Sequence, residues 1–309
     1  MKCQNPALLK PGDQVALIAP SSPFPNPADL EPAVASTEAL GLVVKRYPTL
    51  TLREDYMAGT PEQRAKDLRK AFLDPKVKGI FCIRGGYSAG HLMPMLDWKE
   101  LGATGKLFCG FSDLTTVLTA LAAVGKLAGL HGPTMGFLGK PGEEAAASRE
   151  GLKKFLFSPW KGISYRELCG KYWKPLTIRR GVAEGRLIGG NAAVFAGLIG
   201  TPVIPKKGPF ILFLEDVGEK PYRLDRYVTQ IFQSDLRDQI TGVVLGQFSD
   251  CDPGSPEKHD ALTVLARLLA PLKIPVMANV PIGHEHPTYS FPMGAKATMD
   301  AGKGELVLL

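Results

Sequence analysis

KLFCGFSDLTT, residues 106–116, joins an apolar run to a segment patterned as a helix, and its reading decides the fold. Leu114, Val117, Leu118 and Leu121 recur at i, i+3, i+4 and i+7, the spacing of one apolar helical face, so an amphipathic helix is expected after the buried strand. Ser112 then stands at the turn between them. A glycine two residues before a serine at a strand-to-helix passage resembles a nucleophile elbow, although Leu114 occupies the place of the elbow's second glycine. Serine also caps helices, so the stretch alone leaves both readings open.

Upstream, DQVALIAP, ADLEPAVASTEAL, GLVVKRY, a segment from Thr60 and VKGIFCI alternate apolar runs with helical patterns, which implies parallel strands joined by crossover helices. Thr60, Pro61 and Gln63 form a helix start with a capping box. Ligands of such sheets bind beyond the carboxyl ends of the strands, where IRGGYS and GFSD both fall. The pattern loosens over residues 141–180, read as an interdomain connection between an N-terminal domain, 1–140, and a C-terminal domain, 181–309. Downstream, GRLIGGN, AAVFAGLIG, PFILFLED, PYRLDRYVTQIF, ITGVVLGQF, a helix near HDALTVLARLLA and short terminal strands predict an α/β or β-rich second domain.

A hydrophobic share of 45% and a charged share of 22% are those of a globular protein, and no run of 18 apolar residues predicts a membrane span. The N-terminus lacks an apolar signal region, and five scattered cysteines without a C-x-x-C pair suit a reducing compartment, so a cytoplasmic protein without structural zinc is expected. The net charge of +7 is spread along the chain without a nucleic-acid-binding motif and reads as a basic surface, tolerant of small anionic substrates. GGYSAG matches neither phosphate-loop spacing, so no nucleotide cofactor is expected.

A serine becomes a nucleophile when a base takes its proton and a third group orients the base. Of five histidines, His91 lies in a helix-like stretch and His259 in the polar run SPEKHDA. His131, at a strand end before a Gly-Pro turn, is either a cleft residue or a structurally hydrogen-bonded one, the second reading being favoured. His284 leaves the apolar run IPVMANV beside a glycine and is placed to enter a cleft. Glu215 and Asp216 end the run FILFLED, where a carboxylate is either solvated or paired for a purpose. The amide of Asp113, at a helix N-terminus, and the backbone at Gly85 and Gly86 offer oxyanion donors.

Together, IRGGYSAGHLMPMLD, CGFSDLT, LHGPTMG, EGRLIGGN, FLEDVGEKPYRLDR and VPIGHEHPTYSFPMGAKATMD, in this order, resemble the LD-carboxypeptidase family of serine peptidases, which includes the microcin C immunity peptidases. The resemblance implies an α/β protein: a parallel-sheet N-terminal domain like that of class I glutamine amidotransferases and a swivelling β-rich α/β C-terminal domain, with the active site between them. It places the nucleophile on Ser112, the acid on Glu215 and the base on His284, with Asp113 and Gly86 as oxyanion donors and no metal or cofactor. It further implies a homodimer acting on murein tetrapeptide or, alternatively, on peptidyl-nucleotide antibiotics. For the latter Trp160, Tyr172 and Trp173 are candidates for a base-stacking shelf. The family's R-G-G-Y-G reads RGGYS here, with Ser88 at the last position, and His286 is an extra histidine beside the base. Arg84 is a candidate anchor for a substrate carboxylate, with a structural ion pair as its other reading.

Overall fold

The computed structural model describes residues 3–252 and 259–309; residues 255–258 of the run SPEKHDA lie outside the described residues. The alternation in the first part of the chain folds as strands β1 (Gln14–Ile18), β2 (Val43–Arg46), β3 (Gly79–Cys82), β4 (Leu107–Gly110) and β5 (Gly129–His131). They pair in parallel in the order β5-β4-β3-β1-β2. Helices Leu30–Glu38, Pro61–Leu73, Trp98–Ala103 and Thr115–Ala123 fall between them in the chain. At the start of Pro61–Leu73 both arms of the capping box form: the Thr60 hydroxyl accepts from the Gln63 amide at 3.3 Å, and the Thr60 amide donates to Gln63 Oε1 at 2.8 Å.

The chain continues through β6 (Leu176–Arg179), β7 (Val182–Asn191), β8 (Phe210–Val217), β9 (Ile240–Ser249), β10 (Val276–Ala278), β11 (Phe291–Met293), β12 (Lys296–Asp300) and β13 (Glu305–Leu308). The second sheet runs β13-β12-β7-β8-β9-β10-β6, parallel from β7 to β10 and antiparallel at both edges. The molecule is therefore an α/β protein with a mostly parallel first sheet and a mixed second sheet. β11 returns to the first sheet, antiparallel to β5, with Phe291 opposite His131. Residues 141–180 contain helices Glu143–Phe157 and Tyr165–Cys169 and the edge strand β6. No helix among the described residues is long and apolar enough to cross a membrane.

Strand periodicity explains how the sheets meet. On β8, Ile211 and Phe213 pack into a core shared with the first sheet, whereas Phe210, Leu212 and Leu214 face helices Ala192–Gly197, Pro221–Phe232 and Ala261–Leu269. One correction to the sequence reading falls on the helix after Ser112. Thr115–Ala122 are buried on every side, so the helix is not amphipathic. Its threonines tolerate this because their hydroxyls find backbone partners: Thr119 donates to the Thr115 carbonyl at 2.7 Å, and Thr115 accepts from the Asn191 amide at 3.0 Å. The second bond ties the start of this helix to the end of β7.

Candidate active site

Ser112 begins a short 3-10 turn, Ser112–Leu114, between β4 and the buried helix. Its φ of +63° lies in the left-handed region that non-glycine residues enter at a cost of about 1–2 kcal/mol, so the turn is strained as an elbow is. The missing second glycine has a local answer. A Cβ at Gly110 would stand 2.4 Å from Leu114 Cδ1, so the glycine before the serine makes room for the leucine after it. The serine is half-buried, while Asp113 and Leu114 beside it are buried.

The loop after β3 presses on this turn. A Cβ at Gly85 would lie 2.9 Å from Ser112 Cβ and 3.2 Å from its Oγ, which explains the glycine. Gly86, exposed and at φ +116°, follows it, and the Tyr87 amide donates to Ser22 Oγ at 3.1 Å. Beneath the loop, the buried Asp113 carboxylate accepts from the Ser21 hydroxyl and, at 2.8 Å, from the Ala89 amide. Burial raises its pKa, and these bonds with the nearby Arg64 charge oppose the rise. Arg64, fully buried, donates to the carbonyls of Gly59 at 3.1 Å and of Pro20 and Ser88 at 3.0 Å, fastening three loops under the serine.

Ser88 carries the cost of this arrangement, because its φ is +102° and its buried hydroxyl has no hydrogen-bond partner. Ser88→Gly is expected to stabilise the fold by about 0.5–1 kcal/mol, since glycine removes both the strain and the unpaired hydroxyl but adds unfolded-state entropy. A denaturant midpoint that rises at unchanged slope is the expected result, and a lower midpoint would contradict the account.

From the second sheet, β8 brings Glu215 to the face shared with the first sheet, and Asp216 turns to the opposite face. Both are buried, so neither is the solvated strand end that the sequence allowed. Asp216 accepts from Asn191 Nδ2 at 2.7 Å and from the amides of Ala193 and Val217 at 2.9 Å, and burial together with Glu215 pushes its pKa up to about 6. Glu215 Oε2 meets His284 Nδ1 at 2.7 Å. Opposite Glu215 the β8–β9 register shifts at Gly246 and Gln247, a bulge of the kind that re-aims side chains near sites. Gln247 uses it to hold the histidine loop: its Oε1 accepts from the Glu285 amide at 3.1 Å, and its Nε2 donates to the Pro287 carbonyl at 3.3 Å. The sequence reading missed Gln247, whose signal was a polar residue inside the apolar run ITGVVLGQF.

The ring of Phe111 lies with its centroid 4.7 Å from that of His284, so the residue before the serine packs on the imidazole; no hydrogen bond joins Ser112 to His284. Burial would lower the His284 pKa, but the Glu215 charge and hydrogen bond, with Asp216 behind them, outweigh it and raise the pKa above the ordinary value. His286 points elsewhere. Its ring stacks on Phe137 at 4.0 Å, its Nδ1 lies 3.3 Å from Ser148 Oγ, and burial lowers its pKa.

His131 corrects the sequence reading. It is buried, with Phe111 and Phe213 edge-on to it, yet neither ring nitrogen has a hydrogen-bond partner. Its Nε2 lies 3.7 Å from Glu215 Oε1, but burial holds its pKa at about 4, so the ring is neutral and the contact is not an ion pair. Arg84 donates to the Pro23 carbonyl at 3.0 Å and forms no ion pair among the described residues, so its structural reading, an ion pair beneath the loop, does not hold. Burial and the neighbouring Arg53 lower its pKa. Trp160 and Trp173 are buried, their indole N–H groups donating to the carbonyls of Phe155 and Gly304 at 2.8 Å, so they offer no shelf to a ligand. Exposed aromatic surface lies instead beside Gly86, where Tyr87 meets Tyr56 edge-on at 5.6 Å.

The structure thus brings a strained serine turn from the first sheet and a buried carboxylate–histidine pair from the second together, with Phe111 packed on the imidazole. Residues 15–132 match the LD-carboxypeptidase N-terminal domain and residues 184–299 the LD-carboxypeptidase C-terminal domain, and the chain belongs to the LD-carboxypeptidase family. It is 36% identical over 306 residues to a putative carboxypeptidase of Synechocystis sp., covering 99% of this chain and 97% of that protein. With the murein tetrapeptide carboxypeptidase of Pseudomonas aeruginosa it shares 32% identity over 299 residues, 94% of each chain. Among solved structures, an MccF-like protein from Bacillus anthracis superposes with a TM-score of 0.86 at 27% identity, covering 99% of both chains.

Proposed function

We propose that the protein is a serine carboxypeptidase that cleaves an amide between an L-centre and a C-terminal D-residue, releasing the terminal D-alanine of murein tetrapeptide during cell-wall recycling. The observation that carries this reading is the 2.7 Å bond from Glu215 to His284, with Phe111 of the serine turn packed on the imidazole. In this mechanism His284 Nε2 takes the Ser112 proton as Oγ attacks the carbonyl, and Glu215 holds Nδ1–H so that Nε2 is free to act. The amides of Asp113 and Gly86 receive the oxyanion. His284 then protonates the leaving amine, and a water activated by the same imidazole releases the acyl group. No step calls on a metal or cofactor. Residues 1–140 would form a nucleophile domain of amidotransferase type, residues 141–180 the connection and residues 181–309 a swivelling domain supplying acid and base, in a cytoplasmic homodimer.

A second reading, cleavage of a peptidyl-nucleotide, draws on the likeness to an MccF-like protein and on the exposed rings of Tyr56 and Tyr87. Mass spectrometry of products from murein tetrapeptide and from an aminoacyl sulfamoyl nucleoside separates the two, and loss of one D-residue from the tetrapeptide alone is expected.

An exopeptidase must also recognise the chain end. Arg84, without a carboxylate partner and one residue from Gly85, is proposed as the anchor, since a guanidinium donates two parallel hydrogen bonds to a carboxylate. Amidation of the tetrapeptide is expected to cost wild type about 2–5 kcal/mol of transition-state stabilisation, as when one member of a charge pair is left alone. Arg84→Ala is expected to lose that discrimination. Equal cleavage of acid and amide by wild type would refute anchoring, and discrimination surviving in Arg84→Ala would clear this arginine.

A further inference from the structure

Three polar atoms at the centre of the molecule have no hydrogen-bond partner: both ring nitrogens of His131 and Oε1 of Glu215. Buried polar groups are nearly always paired, and each exception calls for a reason. Here the atoms are neighbours. His131 Nε2 lies 3.7 Å from Glu215 Oε1, while the other oxygen of the same carboxylate bonds His284 at 2.7 Å. Glu215 therefore stands between two imidazoles with one side satisfied and the other short of contact by less than an ångström, because an N–H···O bond spans about 2.7–3.2 Å. A water joining two atoms through bonds of about 2.8 Å at its near-tetrahedral angle holds them about 4.5 Å apart, so this gap closes directly or not at all.

The ring is held for that purpose. β5 places His131 opposite Gly110 on β4 and Phe291 on β11, so the strand that carries the serine turn also sets this histidine. Phe111 and Phe213 stand edge-on to it at 6.0 and 5.3 Å. Its Nδ1 side fits against Gly190, where a Cβ would lie 3.2 Å from Nδ1 and 2.5 Å from Thr115 Oγ1, so only a glycine leaves room for the ring. The charged and titratable groups acting on His131 are Glu215 from β8 and His284 from the loop after β10. Burial keeps the ring neutral, so one nitrogen carries a hydrogen, and the carboxylate beside Nε2 favours that site.

We propose that His131 is a positioning residue for the reaction, its Nε2–H closing onto Glu215 Oε1 during turnover and fixing the carboxylate that orients His284. The inference rests on the Ser112–His284–Glu215 reading given above. Its chemical value is directional. With one oxygen bound on each side, the carboxylate cannot rotate away from Nδ1–H of His284 while the imidazole accepts the serine proton. The pair shares a low-dielectric setting in which a bond of this kind is strengthened.

Three substitutions and one spectrum test it. His131→Phe keeps the ring and loses the donor; His131→Gln carries an N–H near the place of Nε2; His131→Asn carries one only near Nδ1. With folding checked by thermal unfolding, His131→Phe and His131→Asn are expected to lose about 10–100-fold in kcat at nearly constant KM, as outer partners of catalytic groups do, and His131→Gln to recover a good part of it. The acid limb of kcat/KM is expected to move to higher pH in His131→Phe, because a carboxylate without its second donor binds the His284 proton more tightly. A fully active His131→Phe, or a His131→Gln no better than His131→Asn, would reduce the residue to packing and overturn the proposal. The spectrum needs no substrate. In 15N-histidine-labelled protein, long-range imidazole correlations are expected to show His131 as the Nε2–H tautomer, untitrated from pH 5 to 8, and a Nδ1–H tautomer or a titration near neutrality would overturn the proposal even if the peptide assigned above proved not to be the substrate.

Discussion

Ser112→Ala is expected to fold as wild type does and to lose about a million-fold in turnover, as loss of a triad serine does elsewhere. The two halves of this expectation come from different observations. Folding should survive because the Ser112 hydroxyl makes no hydrogen bond in the resting structure and because alanine keeps the Cβ against which Gly85 packs. The strain at φ +63° is common to both residues, so the stability difference is expected to stay within about 0.5 kcal/mol. On the mechanism proposed above, turnover should collapse because the Glu215–His284 pair then has no hydroxyl to deprotonate, and the proposed oxyanion amides alone leave a small residue of catalysis. The check is single-turnover hydrolysis of murein tetrapeptide, with calorimetry to show that the variant still binds it. A serine-directed phosphonate should label wild type at Ser112 and leave the variant unlabelled. More than about a tenth of the wild-type rate in Ser112→Ala would remove the serine from the mechanism.

What the sequence made legible, and what it hid, follows from the range of the forces involved. Parallel strands announced themselves through local periodicity, and the start at Thr60 through a hydrogen-bond pattern spanning four residues. The burial of Thr115–Ala122 was hidden because it depends on β7, some seventy residues away, and because threonine reads as polar until its hydroxyl finds a carbonyl. β11 was hidden for a related reason: a three-residue strand with a proline at its centre carries no alternation, and only its partner β5 makes it a strand. At the site, Glu215 and His284 stood out because charge and imidazole at the ends of apolar runs are costly unless used. The division of labour between Glu215 and Asp216 became visible only with strand direction, which sends one to His284 and the other to the Ala193 amide at the start of the helix before β8. The unpaired state of His131 was hidden because a buried histidine ordinarily finds a partner, and nothing local tells that Glu215, from a strand some eighty residues on, stops just short of Nε2.

The histidines separate in the second large expected effect. His284→Asn should be nearly as inactive as Ser112→Ala, because its amide still donates to Glu215 from the place of Nδ1 but has no nitrogen with which to accept the serine proton. Asparagine is preferred to alanine here for a physical reason: removing the donor altogether would strand a fully buried carboxylate, at a cost of about 3–5 kcal/mol that could be mistaken for a catalytic effect. His286→Ala should cost tenfold or less, since its ring is committed to Phe137 and Ser148 and only the loop's packing is disturbed. The pH profile gives the independent check. The base works when neutral, so kcat/KM should rise with pH as the His284 imidazolium gives up its proton. Burial works against that imidazolium, but Glu215 and Asp216 overcome burial, so the midpoint should lie above the ordinary histidine value near 6.5. Glu215→Gln removes the attraction and leaves the burial, so the midpoint should fall as the maximal rate falls. A midpoint that stays in place in Glu215→Gln, or an inactive His286→Ala beside an active His284→Asn, would transfer the base by two residues to a ring that the structure turns away from Glu215 and stacks on Phe137.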